Sequence, residues 1–241
     1  MKLKVVSWNI HRCFGTDRRY LPERIAEALT QMDADVIALQ EVDSSLRVKG
    51  EIDQLSYLAE TTGMKAVMGP TLKRDYGAYG NAILTRHEIV SSEEYNLSYR
   101  KFEPRGALAA ELKLKRTDAE KVLKVLNVHL GLKYWERAFQ IRQILEDLVW
   151  ETDGPKTAAP PVIVLGDFNE WFPYTPNQFR LNRSFQYSSP RFKTFPSPWP
   201  RFALDRIFMT GAIRSFECEL VNEKPIRVAS DHLPIVASVE L

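Results

Sequence analysis

The sequence predicts an α/β protein, and two observations carry that reading. Short β-branched runs alternate with helix-periodic stretches from one end of the chain to the other. Five of the strand-like runs also begin or end at a residue drawn from Asn, Gln, Glu, Asp and His. A buried strand is rigid, and residues just past its end project into the crevice where open α/β sheets bind ligands.

The first strand runs from Leu3 to Ser7 and delivers Trp8-Asn9. Pro22 opens a helix in which Ile25, Ala28, Leu29 and Met32 form an apolar stripe, because proline is well tolerated in a first helical turn. Asp35 to Leu39 is a strand ending in Gln40-Glu41, and a second helix covers Asp53 to Glu60. Strand-like runs follow near Ala82 to Leu84, Ala107 to Leu114 and Val122 to Val128, the last carrying Asn127-Val128-His129. A third helix runs from Tyr134 to Trp150, with Trp135, Ala138, Ile141, Leu145 and Leu148 on one face, a stripe read as core. Thr152 to Pro160 is polar, contains Gly and Pro, and reads as a surface loop.

Val162 to Leu165 is the most informative strand, because it stops at Gly166 and then presents Asp167 and Asn169. Two residues apart on an extended backbone, these point to one side while Phe168 turns into the core. Further runs lie near Arg206 to Met209 and Ile235 to Val239, the second preceded by Ser230-Asp231-His232. Each polar end alone reads as turn chemistry. Their convergence at five strand ends points to a site.

Carboxylates with amide and water oxygens suit a hard divalent cation such as Mg²⁺. Zinc lacks a ligand set, since Cys13 and Cys218 match no Cys-x-x-Cys spacing and read as ordinary buried or partly buried thiols. No Gly-x-Ser-x-Gly elbow supplies a serine nucleophile. Asp and His around a divalent cation fit hydrolysis of a phosphoester by an activated water.

Read in order, Ser7-Trp8-Asn9, Leu39-Gln40-Glu41, Gly80-Asn81-Ala82-Ile83-Leu84 and Pro104-Arg105-Gly106 resemble motifs of the endonuclease/exonuclease/phosphatase superfamily. The resemblance continues through Asn127-Val128-His129-Leu130, Gly166-Asp167-Phe168-Asn169, Leu204-Asp205-Arg206-Ile207 and Ser230-Asp231-His232, and so covers the chain from residue 5 onward. It implies a deoxyribonuclease I-like fold, a four-layer sandwich of two mixed β-sheets packed face to face and flanked by helices, with the site at one end. It also implies roles. Glu41 would be the principal ligand of Mg²⁺ or Mn²⁺, with Asn9 beside it as ligand or supporting partner and Asp231 as a further metal or water contact. Asp167 would orient or deprotonate the attacking water, and Asn169 would hold a phosphate oxygen. His232 resembles the phosphate-binding histidine or general base, and Asp205 its orienting carboxylate. His129 matches the histidine of the deoxyribonuclease I and sphingomyelinase branches, an acid or transition-state clamp. Apurinic endonucleases usually carry tyrosine there, so the chain departs from that branch. Arg105 is a weaker phosphate-gripping residue or a surface one.

With 241 residues the chain suits a single domain, residues 1–241, without linker or repeat. A formal charge of +2 gives no strong pull toward a polyanion. Met1 to Val6 enter the first strand without a signal peptide and no apolar run approaches a membrane span, so a cytoplasmic location is expected. No obligate protein partner is evident.

Trp171 to Phe202 is unusual, with ten aromatics, five Arg or Lys, no acid, and six prolines that oppose regular helix across most of it. Its aromatics either fold back onto the sandwich or form a substrate-facing wall that stacks bases or covers a membrane interface. The sequence thus points to a metal-dependent phosphoesterase, with a diester preferred because His129 could protonate a poor leaving alkoxide. Nucleic acid, phospholipid and small phosphoesters are its substrate branches. The competing reading is a non-catalytic, metal-containing binding module of the same fold.

Overall fold

The computed structural model describes residues 1–45, 52–114, 121–149 and 160–241. The chain forms two six-stranded mixed sheets. The first contains β1 (Lys2–Asn9), β2 (Val36–Asp43), β3 (Lys65–Arg74), β4 (Gly77–Thr85), β11 (Ser215–Leu220) and β12 (Ile235–Glu240), in the order β11-β12-β1-β2-β4-β3. The second contains β5 (Glu88–Asn96), β6 (Gly106–Leu114), β7 (Lys121–His129), β8 (Val162–Asp167), β9 (Tyr187–Ser188) and β10 (Asp205–Thr210), in the order β5-β6-β7-β8-β10-β9. Each sheet has one parallel pair at its centre, β1 with β2 and β7 with β8, and antiparallel neighbours elsewhere.

The apolar runs are continuous because both faces of the inner strands are covered. Along β1, Val5 faces the other sheet while Val6 packs outward; along β2, Ala38 and Ile37 divide in the same way. Leu3, Val5, Val36 and Ile83 meet Leu108, Val125, Ile163, Leu165 and Ile207 in the layer between the sheets. Helices α1 (Pro22–Met32) and α2 (Gln54–Thr62) cover the outer face of the first sheet, and α3 (Tyr134–Gln143) with α4 (Pro176–Ser184) covers the second. A short α5 (Lys224–Ala229) packs beside α1. This is the four-layer sandwich expected.

Proline opens α1, and Ile25, Ala28, Leu29 and Met32 are all buried, as their spacing predicts. Helix α2 is capped by the Asp53 carboxylate, which accepts from Ser56 N, and ends at Gly63 with φ 66°. The third helix differs from its expected pattern. It runs to Gln143 and widens into a π-helical turn over Ile144–Val149, and Trp135 is 73% exposed and not core. At about 100° per residue, the buried Glu136, Arg137, Gln140, Ile141 and Ile144 centre on the side opposite Trp135. Polar partners turn that face inward: Gln140 accepts from Gly131 N at 2.8 Å and donates to Leu97 O at 3.0 Å. Arg137 Nε donates to the buried Glu170 at 2.8 Å. The loop expected over Thr152 to Pro160, like the helix end at Trp150, lies outside the described residues apart from Pro160.

The aromatic segment divides between its two expected fates. Phe185 packs against Phe208, and Trp171 packs edge-on against Phe195 and Phe202. Phe172, Tyr174, Phe179 and Trp199 stay strongly exposed. A regular helix, α4, does fit between its prolines, opened by Pro176 and capped by Thr175.

Candidate active site

The strand directions bring the C-terminal ends of β1, β2, β7 and β8 and the N-terminal ends of β4, β6, β10 and β12 to one end of the sandwich. A cleft of about 570 Å³ opens there, and Glu41, Arg105, His129, Asp167, Asn169, Asp231 and His232 line it. Asn9 and Asp205 sit immediately behind these residues, nearly fully buried.

Asp167 is the hub. Its Oδ1 accepts from Asn169 N at 2.9 Å and its Oδ2 from Asn9 Nδ2 at 3.2 Å. Oδ2 also lies 3.6 Å from His129 Nε2 and 3.7 Å from His232 Nε2. The glycine before it allows this placement: Gly166 has φ 142°, and a β-carbon there would meet the Val128 carbonyl oxygen at 1.9 Å. Past Asp167 the extended backbone ends, and Asn169 turns to φ 51° with one amide N–H donated to Leu130 O at 2.9 Å. Phe168 points into the core against Phe208.

His232 is held from two directions. Its Nδ1 lies 2.8 Å from Asp205 Oδ2, and its carbonyl accepts from Trp8 Nε1 at 2.9 Å. Ser230 Oγ donates to Asn9 O at 2.7 Å, which ties this turn to the end of β1. Burial works against the His232 imidazolium, but the carboxylates of Asp205 and Asp167 outweigh it and raise its pKa to about 10. Burial also pushes Asp167 up to about 6, the His232 charge opposing it. His129 goes the other way: burial, then the charges of Arg105 and His232, hold it well below the ordinary imidazole range. Arg105 Nη1 lies 3.3 Å from both His129 ring nitrogens, and its Nη2 donates to Glu103 at 3.1 Å.

Glu41 reaches the cleft through a backbone irregularity. The pairing of β2 with β4 shifts register between Leu39 and Val42, and Glu41 has φ 58°. Such a bulge re-aims a side chain at the end of a strand. Asn9 Nδ2 donates to Glu41 Oε1 at 3.1 Å as well as to Asp167, so the amide holds the two carboxylates together. Asp231 lines the cleft facing His11, 3.8 Å away.

The donor set fits a hard divalent cation. Glu41, Asp43, Glu103, Asp167 and Asp231 line the cleft, with Asp205 directly behind, against three arginines and the His232 imidazolium, so an anion entering alone meets net repulsion. A divalent ion among the carboxylate oxygens reverses that sign, and no thiol competes for it. Asp167, Asp205 and His232 bring ligand atoms within 4.8 Å of one another. Asp205 Oδ2 and His232 Nδ1 already bond each other at 2.8 Å, whereas the Glu41 carboxylate lines the cleft and could hold such an ion.

The structure separates strand-end residues that the sequence could not. Gln40 and Asn127 do not enter the cleft; they bridge the sheets beneath it. Gln40 Nε2 donates to Asn127 Oδ1 at 2.7 Å, and Asn127 Nδ2 to Leu39 O at 2.8 Å and Ala82 O at 2.9 Å. Residues not singled out from sequence also line the site: Arg12, at φ 53° after the first strand, Asp43, Arg74 and Tyr79. Tyr79 lies one residue before the Gly80-Asn81 motif, which was its only signal.

The chain is similar to known proteins along its whole length. YbhP of Escherichia coli K12, an uncharacterized protein, is 30% identical over 254 aligned residues that cover 99% of this chain and 96% of that one. The crystal structure of an endonuclease/exonuclease/phosphatase from Beutenbergia cavernae superposes with a TM-score of 0.77 at 22% identity, covering 100% of this chain and 72% of that one. The mannosyl-6-phosphatase Bt3783 of Bacteroides thetaiotaomicron superposes at 0.73 and 18% identity, covering 99% and 100%. At these identities the two structures speak for the fold alone. The Endonuclease/Exonuclease/phosphatase family model matches residues 6–232, and the chain belongs to that family.

Proposed function

We propose that the chain, as a single catalytic domain, is a divalent-metal-dependent phosphodiester hydrolase. The observation that carries the reading is the position of Asp167, whose Oδ2 is shared by Asn9 and lies within 3.7 Å of the ring nitrogens of both His129 and His232. Family membership supports action on phosphoester bonds, and family enzymes generally use divalent metals.

Glu41, supported by Asn9, would hold Mg²⁺ or Mn²⁺, with Asp231 as a further contact on the cleft wall. That ion, when bound, supplies Lewis-acid polarisation of a phosphoryl oxygen. Asp167, with its pKa raised to about 6, takes the proton of the attacking water near neutral pH, where an acceptor of that strength is effective. The His232 imidazolium, fixed by Asp205, places a positive N–H beside the phosphoryl oxygens as charge develops on them. His129 meets the substrate as neutral imidazole, which favours the clamp over the acid of its two expected roles. Asn169 offers its second amide N–H, and Arg105 its guanidinium, to the phosphate. With a divalent ion added, the formal charges of the cleft and of Asp205 behind it balance, which removes the repulsion an anionic phosphoester would otherwise meet.

Hydrolysis of a generic diester, a generic monoester, single- and double-stranded DNA and dispersed phospholipid, with Mg²⁺ or Mn²⁺, tests the reading on wild type beside Asp167→Ala. Diester turnover lost in Asp167→Ala and with chelator supports it. Turnover that survives either refutes it.

A further inference from the structure

The exposed large hydrophobic residues are not scattered. Of the eleven among the described residues, all but Val90 and Phe179 lie on segments at the cleft end of the sandwich. Phe102 (44% exposed) lies between β5 and β6, and Leu132 (55%) and Trp135 (73%) follow β7. Phe172 (69%) and Tyr174 (97%) follow β8, and Trp199 (78%) precedes β10. The same segments reach the cleft through Glu103, Leu132, Trp171 and Phe195. An isolated exposed aromatic is ordinary; several on neighbouring loops at one end of the molecule mark a contact surface.

Positive charge follows the same rim. Apart from the charges that line the cleft itself, Arg18, Arg19, Arg100, Lys101, Lys133 and Arg201 are exposed on these segments, against Asp17 and Asp75. Asp17 pairs with Arg24 and Glu103 with Arg105, which leaves the outward field basic. The whole chain carries only +2, so this bias is local to the mouth.

Resting on the phosphodiesterase reading, we propose that the rim seats the protein on an anionic phospholipid surface, so that the cleft opens onto phospholipid head groups. Aromatic and leucine side chains on separate loop tips enter the interfacial layer while basic groups meet lipid phosphates, the arrangement of an interfacial anchor. A nucleic-acid track would lay its aromatics along a groove floor. Here the exposed side chains sit on six separate segments at the cleft end (10–21, 74–77, 99–105, 130–135, 170–174 and 195–202), and of these side chains Leu132 alone lines the cleft.

The test is co-sedimentation with phosphatidylcholine vesicles containing roughly one-third phosphatidylglycerol, run in chelator so that no turnover is needed. Wild type and the triple variant Trp135→Ser, Tyr174→Ser, Trp199→Ser are compared, and each is also assayed on a soluble diester. The three side chains are solvent-exposed, so the variant is expected to fold and to keep its soluble-diester activity. Wild type is expected to sediment, with the variant's partition coefficient lower by about tenfold or more. No sedimentation of wild type, equal binding by the variant, or retention on single-stranded DNA in place of vesicles would overturn the proposal. Vesicle binding without diester turnover refutes the phosphodiesterase reading alone; turnover without vesicle binding refutes docking alone.

Discussion

Asp205→Asn separates the chemistry of the dyad from the fold. Asp205 is fully buried, accepts the His232 Nδ1 contact at 2.8 Å, and has no partner for its other carboxylate oxygen. The amide keeps the shape but removes the charge. A hydrogen bond to a charged group contributes about 1.5–3 kcal/mol, which is a loss of about 10- to 150-fold in rate if the imidazolium acts in the transition state. The stability signature has a definite sign. The His232 pKa is raised from 6.5 to about 10, so its contribution is complete below pH 6.5 and disappears as pH rises through about 10. The variant should therefore lose most melting temperature at low pH and converge on wild type toward pH 10. The assays are kcat on a chromogenic diester, calorimetric melting in metal-free buffer across that range, and imidazole ¹⁵N NMR. A folded variant whose kcat stays within about threefold of wild type, or a melting difference independent of pH, would refute the reasoning.

Gly166→Ala should destabilise by more than the roughly 1–3 kcal/mol of a strained backbone position, because its β-carbon also meets the Val128 carbonyl; urea unfolding reads this, and an unchanged midpoint contradicts it. Asn127→Ala should cost about 3 kcal/mol by stripping the Leu39 and Ala82 carbonyls and the Gln40 amide of their shared partner, with an unchanged m-value as the check that the unfolded state is unaltered. Chelator should abolish hydrolysis and added Mg²⁺ or Mn²⁺ should restore it; full activity in metal-stripped protein would exclude the proposed Glu41 site. Cys13 is buried with its thiol pushed far up, and the Cys218 thiol is pushed up to about 12, so Ellman's reagent should react slowly at pH 8 and titrate both thiols only in denaturant.

What could be read from the sequence follows from where apolar burial is complete. The eight strands recognisable as apolar runs, from Leu3 to Ser7 through to Ile235 to Val239, are the eight interior strands of the two sheets. The four that left no such signal, β3, β5, β9 and β11, are the four edges, where exposed faces permit Glu93, Glu94 and Lys73. The cleft residues Glu41, Arg105, His129, Asp167, Asn169, Asp231 and His232 were all legible as motifs at strand ends, because a site at the end of a sandwich must be built there.

Tertiary structure decided what each polar strand end faces. Gln40 and Glu41 are adjacent in sequence, yet one bridges the sheets and the other enters the cleft, because a register shift in β2 turns the backbone between Leu39 and Val42. Trp135 reads as part of an apolar stripe, but the buried partners of Glu136, Arg137 and Gln140 rotate the helix and leave the indole outside. Protonation states were likewise decided in space. His129 and His232 are both buried histidines, and only the second has a carboxylate, Asp205, in hydrogen-bonding contact with its ring. Local pattern determines which residues leave water; the partners they meet, supplied by chain segments up to 224 residues away, determine what those residues can do.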